Sequence, residues 1–267
     1  MVAFAANSLL CRAALKTTSI DAGTFTTIRL VSGALVLWLI AMLRGGGKKV
    51  EGSWLSALAL FAYAAGFSFA YLRLPAAVGA LILFCVVQVT MISYGIWSGE
   101  RLRAGQIVGL VLAIGGLVAL LLPGLSAPPL EGAALMAVAG VAWGIYSLRG
   151  RRFRDPTLAT AGNFLRAVPF TIILSLLIHS GISLDPAGLL YGIASGAITS
   201  GIGYAIWYAV LPSLAATTAA TIQLSVPVIT ALGGIVFLGE AMTLRLLLSS
   251  VAIIGGIALV IAAKRRA

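Results

Sequence analysis

Residues 76–122 read AAVGALILFCVVQVTMISYGIWSGERLRAGQIVGLVLAIGGLVALLL, and residues 216–262 read ATTAATIQLSVPVITALGGIVFLGEAMTLRLLLSSVAIIGGIALVIA. Laid over one another at an offset of 140, Gly99-Glu100 meets Gly239-Glu240 and Gly115-Gly116 meets Gly255-Gly256. In the same register Ala76, Ala80, Ile82, Thr90, Val111 and Ile114 meet Ala216, Ala220, Ile222, Thr230, Val251 and Ile254. Self-similarity over so many positions marks an internal duplication. A shift of 139 extends it toward the N-terminus, laying Phe4-Ala5-Ala6-Asn7 on Trp143-Gly144-Ile145-Tyr146 and Arg12 on Arg151.

The composition says what was duplicated. Of 267 residues, 61% are hydrophobic and 9% charged, against about 45–50% and 25% in a soluble domain. At roughly 20 apolar residues per crossing, the chain has room for about ten crossings, which excludes a soluble catalytic domain. Five apolar segments cover 3–15, 25–43, 55–71, 76–97 and 105–122, and five more cover 132–148, 158–178, 189–211, 215–237 and 244–263. Pro, Gly and charge separate them. The first is short, so it either begins before Met1 in the natural gene or crosses incompletely. Asp155-Pro156 and Asp185-Pro186 each set a capping carboxylate before a proline whose missing N–H costs nothing at a helix start. Lipid offers no water to backbone groups, and these runs are too long for barrel strands, so the spans are helices.

Five spans per repeat is an odd number, so the second copy enters the membrane from the opposite side. The expected fold is an all-α polytopic membrane protein of ten transmembrane helices in two inverted five-helix repeats, residues 1–124 and 125–267. Lys and Arg exceed Asp and Glu by 18 to 7, a formal net charge of +11. Gathered on a soluble face, that excess would mean nucleic acid; spread through short loops, it reports orientation. With the C-terminus in the cytoplasm, the inner loops receive Arg44, Lys48, Lys49, Arg101, Arg103, Arg149, Arg151, Arg152, Arg154 and Lys264 to Arg266. The outer loops receive Lys16, Arg73 and Arg245, with Arg12 beside them. Both termini are therefore expected inside. The first span is locally discordant, because Arg12 and Lys16 follow it on the outer side. Met1 leads straight into an apolar segment without a basic region or cleavage site, so no removable signal peptide is expected.

Inverted repeats belong mainly to transporters with a site between the halves near the midplane. The sequence resembles the drug/metabolite transporter superfamily and, within it, the ten-helix EamA-type exporters. The carriers are the Gly-Glu dipeptides closing the fourth and ninth helices, the Gly-Gly pairs, Arg29 in the second helix, and Trp143-Gly144-Ile145-Tyr146 running into Arg149-Gly150-Arg151-Arg152. The chain departs at the first helix, where the family has Trp-Gly three residues before Asn and this sequence has Phe4-Ala5. The resemblance implies alternating access at the cell membrane and export of amino acids, aromatic ones among them as in the YddG-type exporters.

No acidic residue falls inside a predicted span: Asp21, Glu51, Glu100, Glu131, Asp155, Asp185 and Glu240 all lie at ends. Proton-coupled carriers bury a titratable group in the path, so the expectation is an uncoupled facilitator or a carrier driven by its substrate's own gradient. His179 lies at a helix end and reads as solvated. No GxxxxGK[ST] run exists for nucleotide phosphates. No cofactor, metal or nucleic acid is expected, only a small solute and the bilayer. Cys11 and Cys85 lie in apolar stretches without a CxxC pair and read as structural thiols.

Polar and aromatic residues cluster unevenly. The eighth segment carries Ser200, Tyr204, Trp207 and Tyr208, the sixth Trp143 and Tyr146, and the third Tyr63 and Phe67. The fourth carries Phe84, Gln88 and Met91, the ninth Thr217, Thr221 and Gln223, and the first Asn7. Such groups either join helices and form the interfacial belt or line a cavity for a small amphipathic solute; depth favours the cavity most for Tyr63 and Gln88. Arg166, near the middle of the seventh helix, and Arg29, about two turns into the second, can each attract a carboxylate. Each can equally bond helix-end carbonyls, a reading that weighs more for Arg29. Pro169 and Pro227 interrupt spans and predict bends, whereas the many glycines, Gly192 and Gly196 among them, read as packing surfaces. A nucleotide-sugar or phosphorylated-metabolite antiporter would need more cations along the path. A membrane-embedded lipid-modifying enzyme would need a carboxylate pair or His cluster that the sequence lacks, so no catalytic residue is assigned.

Overall fold

A bilayer core leaves backbone groups to be satisfied within their own helix, and the described residues are helical with short connections. The computed structural model describes residues 1–45, 51–99, 101–124, 127–150, 155–178, 185–210 and 222–265, with no strand among them. The first repeat comprises α1 (Val2–Thr17), α2 (Ala22–Gly45), α3 (Trp54–Tyr71), α4 (Ala76–Trp97) and α5 (Ala104–Leu121). The second begins with α6 (Leu130–Gly150) and α7 (Pro156–Ile178). Its third span is continuous from α8 (Pro186–Ile193) through a π-helical stretch (Ala194–Ile202) into α9 (Gly203–Val210). It closes with α10 (Ser225–Leu238) and α11 (Leu244–Arg265). Among the described residues, eight helices are long and apolar enough to cross a membrane, with Ser225–Leu238 a shorter apolar one. The first helix has 16 residues, in line with the short first segment.

Packing follows the duplication. The first span lies on the eighth and on α10, just as α6 lies on α3 and α4, while α2 meets α7, α4 meets α10 and α5 meets α11. Each of these relations is what an inverted pseudo-two-fold axis generates from two five-helix copies. Large apolar side chains such as Leu39, Val111, Leu176, Ile206 and Val251 stand exposed around the outside, a surface suited to lipid rather than water.

Local chemistry sets the boundaries. Asp155 Oδ1 accepts from the N–H groups of Thr157 and Leu158 at 3.0 and 3.1 Å, and Asp185 Oδ1 accepts from Gly188 N at 2.9 Å, so both Asp-Pro pairs open helices as their sequence implies. The glycine of the repeated Gly-Glu dipeptide is a terminator. Gly239 closes α10 in the left-handed region at φ +62°, Gly99 after α4 has φ +94°, and residues with a Cβ avoid that region.

The Gly-Gly pairs divide their work. A Cβ on Gly256 would lie 2.5 Å from the Gly109 carbonyl, and one on Gly116 would lie 2.9 Å from the Ala252 Cβ, so α5 and α11 touch nearly backbone to backbone. Gly115 and Gly255 face open space. The two prolines behave differently. The α7 helix runs through Pro169 without a break. Pro227 lies in the first turn of α10, directly after a turn at Leu224, where a missing N–H leaves no bond unmade.

Candidate functional site

Several sequence candidates converge around Arg29. Arg29 sits about two turns into α2 and is 1% exposed. Glycine lets its helix approach the eighth span, for a Cβ on Gly196 would collide with Ser32 Oγ and the Arg29 carbonyl. From there Arg29 Nε donates to Ser200 Oγ at 3.3 Å and Nη2 donates to the Tyr63 hydroxyl at 3.1 Å. The guanidinium carbon lies 5.2 Å from the Tyr63 ring centre and 4.9 Å from that of Phe67, both cation–π range. Nη1 has no hydrogen-bond partner, and among the described residues no carboxylate pairs with this cation.

Asn7 organises the neighbouring polar groups. Its Oδ1 accepts from Ser195 Oγ at 2.7 Å and lies 3.3 Å from Thr199 Oγ1, and its Nδ2 donates to the Tyr63 hydroxyl at 3.4 Å. The π-helical winding widens the turn between positions 194 and 202, bringing Ser195 and Thr199 onto Asn7 and Ser200 onto Arg29. Such stretches recur at functional sites. The Tyr63 oxygen therefore receives two N–H groups, which leaves its own O–H as an outgoing donor.

Aromatic rings complete the enclosure. Trp143 lies 4.7 Å from Tyr63, 5.2 Å from Tyr204 and 5.4 Å from Tyr146, centre to centre. Phe4 touches Tyr204 and Trp207, and Phe67 lies 5.4 Å from Tyr63. The structure thus brings together Asn7, Tyr63, Phe67, Trp143, Tyr146, Ser200, Tyr204 and Trp207, from both repeats.

The remaining candidates stand apart. Phe84 and Gln88 are buried and Met91 half-buried along α4, but none enters this ring and hydrogen-bond network. Gln223 is half-buried before the Leu224 turn. Thr217, Thr221, His179, Glu100 and the Tyr208 side chain lie outside the described residues. Arg166 Nη1 donates to the carbonyls of Glu51 and Gly162 at 3.1 and 3.0 Å, so it ties the segment before α3 to its own helix rather than joining the cluster. Ser195, Thr199 and Phe4 were missed by sequence reasoning, although Ser195 and Thr199 stand one turn apart on the span that supplies Ser200. Trp97, 86% exposed at the end of α4, fits the interfacial belt.

A second polar cluster sits where α1, α3 and α10 end. Arg12 Nη1 donates to the Tyr71 carbonyl at 2.7 Å, and Nε lies 3.5 Å from Glu240 Oε1. Both Glu240 oxygens accept from Ala76 N at the start of α4, at 3.0 and 2.8 Å. Lys16 Nζ donates to the Leu238 carbonyl at 2.9 Å. The same end holds Arg73 against Glu131 at 3.1 Å and Arg245 on the Leu122 carbonyl. At the surface there, the Asp185 carboxyl is held below its usual range, first by the Gly188 N–H. Cys11 and Cys85 are buried free thiols. Among the described residues no group of three or more His, Cys, Asp or Glu side chains is placed to hold a metal.

Comparison with known proteins accounts for this architecture. The EamA-like transporter family matches the chain twice, over residues 1–122 and 130–262. An uncharacterized protein of Pseudomonas aeruginosa, PA1977, is 54% identical over 263 residues, covering 98% of this chain and 92% of its own. The threonine/homoserine exporter RhtA of Escherichia coli K12 is 34% identical over 160 residues, 57% of this chain and 53% of its own. A protein of known crystal structure, 22% identical, superposes with a TM-score of 0.68 over 97% of this chain and 96% of its own, a likeness of fold. Two matched halves, eight helices among the described residues long and apolar enough to cross a membrane, and inverted packing agree: the chain is a multi-pass membrane protein that belongs to the EamA-like transporter family.

Proposed function

We propose that the protein exports amino acids or closely related small metabolites across the cell membrane by alternating access, with substrate held at the Arg29 cluster. The observation that carries this reading is the composition of that cluster. Arg29, Tyr63 and Asn7 come from the first repeat and Ser200, Trp143 and Tyr204 from the second, so rocking of one half against the other would separate its two sides. Aromatic faces give contact area for a side chain, and a few hydroxyl and amide groups fix orientation. The similarity to threonine/homoserine exporters supports amino acids as the substrate class. A nucleotide-sugar or phosphorylated substrate fits less well, since a multiply charged head would meet one unpaired guanidinium.

Both termini are assigned to the cytoplasm. Arg12, Lys16, Arg73 and Arg245, the basic residues at one end of the bundle, are tied to carboxylates or helix-end carbonyls. They are anchors rather than free loop charge, which supports this orientation despite Arg12 and Lys16. Five of the six described acids are similarly committed: Asp21, Asp155 and Asp185 cap helices, and Glu131 and Glu240 pair with arginines, while Glu51 precedes α3 at a chain end. This supports transport without a carboxylate proton switch in the path.

Purified protein in liposomes preloaded with radiolabelled threonine, homoserine or phenylalanine should release at least one of them faster than protein-free liposomes. Release should be indifferent to an imposed pH gradient. The absence of flux for every amino acid in the panel would refute the export reading.

A further inference from the structure

Resting on the export reading, we infer that Arg29 Nη1 and the Tyr63 hydroxyl together grip the carboxylate of the transported solute, so that the site selects a singly charged carboxylate head. Three arginines, Arg12, Arg29 and Arg166, separate clearly by what they touch. Arg12 has a carboxylate and two backbone carbonyls. Arg166 has two backbone carbonyls. Arg29, the most deeply buried of the three, has two neutral hydroxyls, two ring faces and a free Nη1.

A guanidinium withdrawn from water without an opposite charge is costly, and structures keep such a group where a ligand completes it. The direction of the surrounding hydrogen bonds points the same way. Tyr63 already accepts from Arg29 and Asn7 and so has only a proton to offer. The Asn7 carbonyl oxygen already accepts from Ser195 Oγ at 2.7 Å. What the cluster offers at its centre is therefore donors plus one positive charge. That is the complement of a carboxylate, which a guanidinium binds as a two-pronged fork. A phosphate monoester carries a second charge that nothing in the cluster balances. An amide or ester of the same amino acid keeps the side chain and amine but presents no anion.

Competition against radiolabelled threonine efflux, paired with thermal unfolding in detergent, tests this. Threonine should compete and raise the unfolding midpoint, while threonine amide should bind about 100-fold more weakly or worse, the cost of leaving a desolvated charge unpaired. Arg29→Gln should lose both the flux and the stabilisation by threonine or acetate, with an unfolding midpoint no lower than the parent protein. Arg29→Lys, which keeps the charge without the fork, should retain partial flux. Equal competition by acid and amide would overturn the carboxylate grip while leaving export intact. Stabilisation by acetate that disappears in Arg29→Gln, alongside no amino-acid flux in the parent, would keep the grip and refute export. A midpoint that falls sharply in both variants, with carboxylate stabilisation preserved, would make Arg29 a packing residue and overturn the inference.

Discussion

Arg12 and Arg29 lie in the same repeat, on successive helices, and their surroundings differ in kind. Arg12, at the end of α1, is joined to Glu240 and to the Tyr71 and Leu72 carbonyls, and Glu240 is fastened to the first N–H of α4. Arg29, further inside, has no anion among the described residues and leaves Nη1 without a hydrogen bond. The first arrangement spends its charge on holding α1, α4 and α10 together. The second keeps its charge available. Arg12 Nε also makes no hydrogen bond but faces the Glu240 carboxylate, so what separates the two is the anion: a buried cation paired with one serves the fold, and one left without it is offered to something that arrives.

The comparison can be broken from either side. Glu240→Ala should have the largest effect on stability, about 3 kcal/mol, because it strands both Arg12 and the Ala76 N–H; chemical unfolding in detergent would measure it. Losing less than about 0.5 kcal/mol would mean the pair is not structural. Next comes Gly196→Ala, which pushes α2 off the eighth span and should cost about 1–3 kcal/mol while lowering efflux in liposomes; normal efflux would show that the Arg29 to Ser200 approach is dispensable. Tyr63→Phe removes one hydroxyl that serves both Arg29 and Asn7. Its stability cost should be near 1 kcal/mol, yet efflux should fall at least about tenfold, the reverse of the Glu240→Ala pattern.

The smallest effect belongs to Asp185, a carboxylate at the helix end that caps α8 and also accepts from Ser19. Its pKa is lowered in the folded protein by the Gly188 N–H, so its contribution is present above the usual carboxylate pKa and fades as pH falls through the lowered value. The unfolding midpoint of Asp185→Asn should therefore converge on that of the parent protein as pH is lowered and lie slightly below it at neutral pH. An identical difference at all pH values would contradict the capping role.

The fold was legible because its signals are periodic and repeated. Uniform apolar runs, Asp-Pro starts and left-handed glycine stops are local requirements of helices in lipid, and the offset of the Gly-Glu and Gly-Gly pairs carries the inverted symmetry. The site was legible in part. Tyr63, Trp143 and Tyr204 stand out as deep aromatic residues with polar tips, but nothing in the α-helical spacing of 194–202 announces a π-helical turn that moves Ser195 and Thr199 toward Asn7. The contrast between Arg29 and Arg166 was hidden for a related reason. Each is an arginine within an apolar run, and only tertiary contacts reveal that Arg166 reaches back to the Glu51 carbonyl whereas Arg29 reaches neutral hydroxyls. One clue was nonetheless on the surface of the sequence: with no acid inside any span, a deep arginine has no ready partner.

The central claim is that Arg29 is held for a ligand rather than for the fold. Threonine counterflow into liposomes containing equal amounts of parent protein or Arg29→Gln, each matched for unfolding midpoint, tests it most directly. The account predicts uptake by the parent and background uptake by the variant, with the variant unfolding no earlier. Uptake by Arg29→Gln at the parent rate would contradict it.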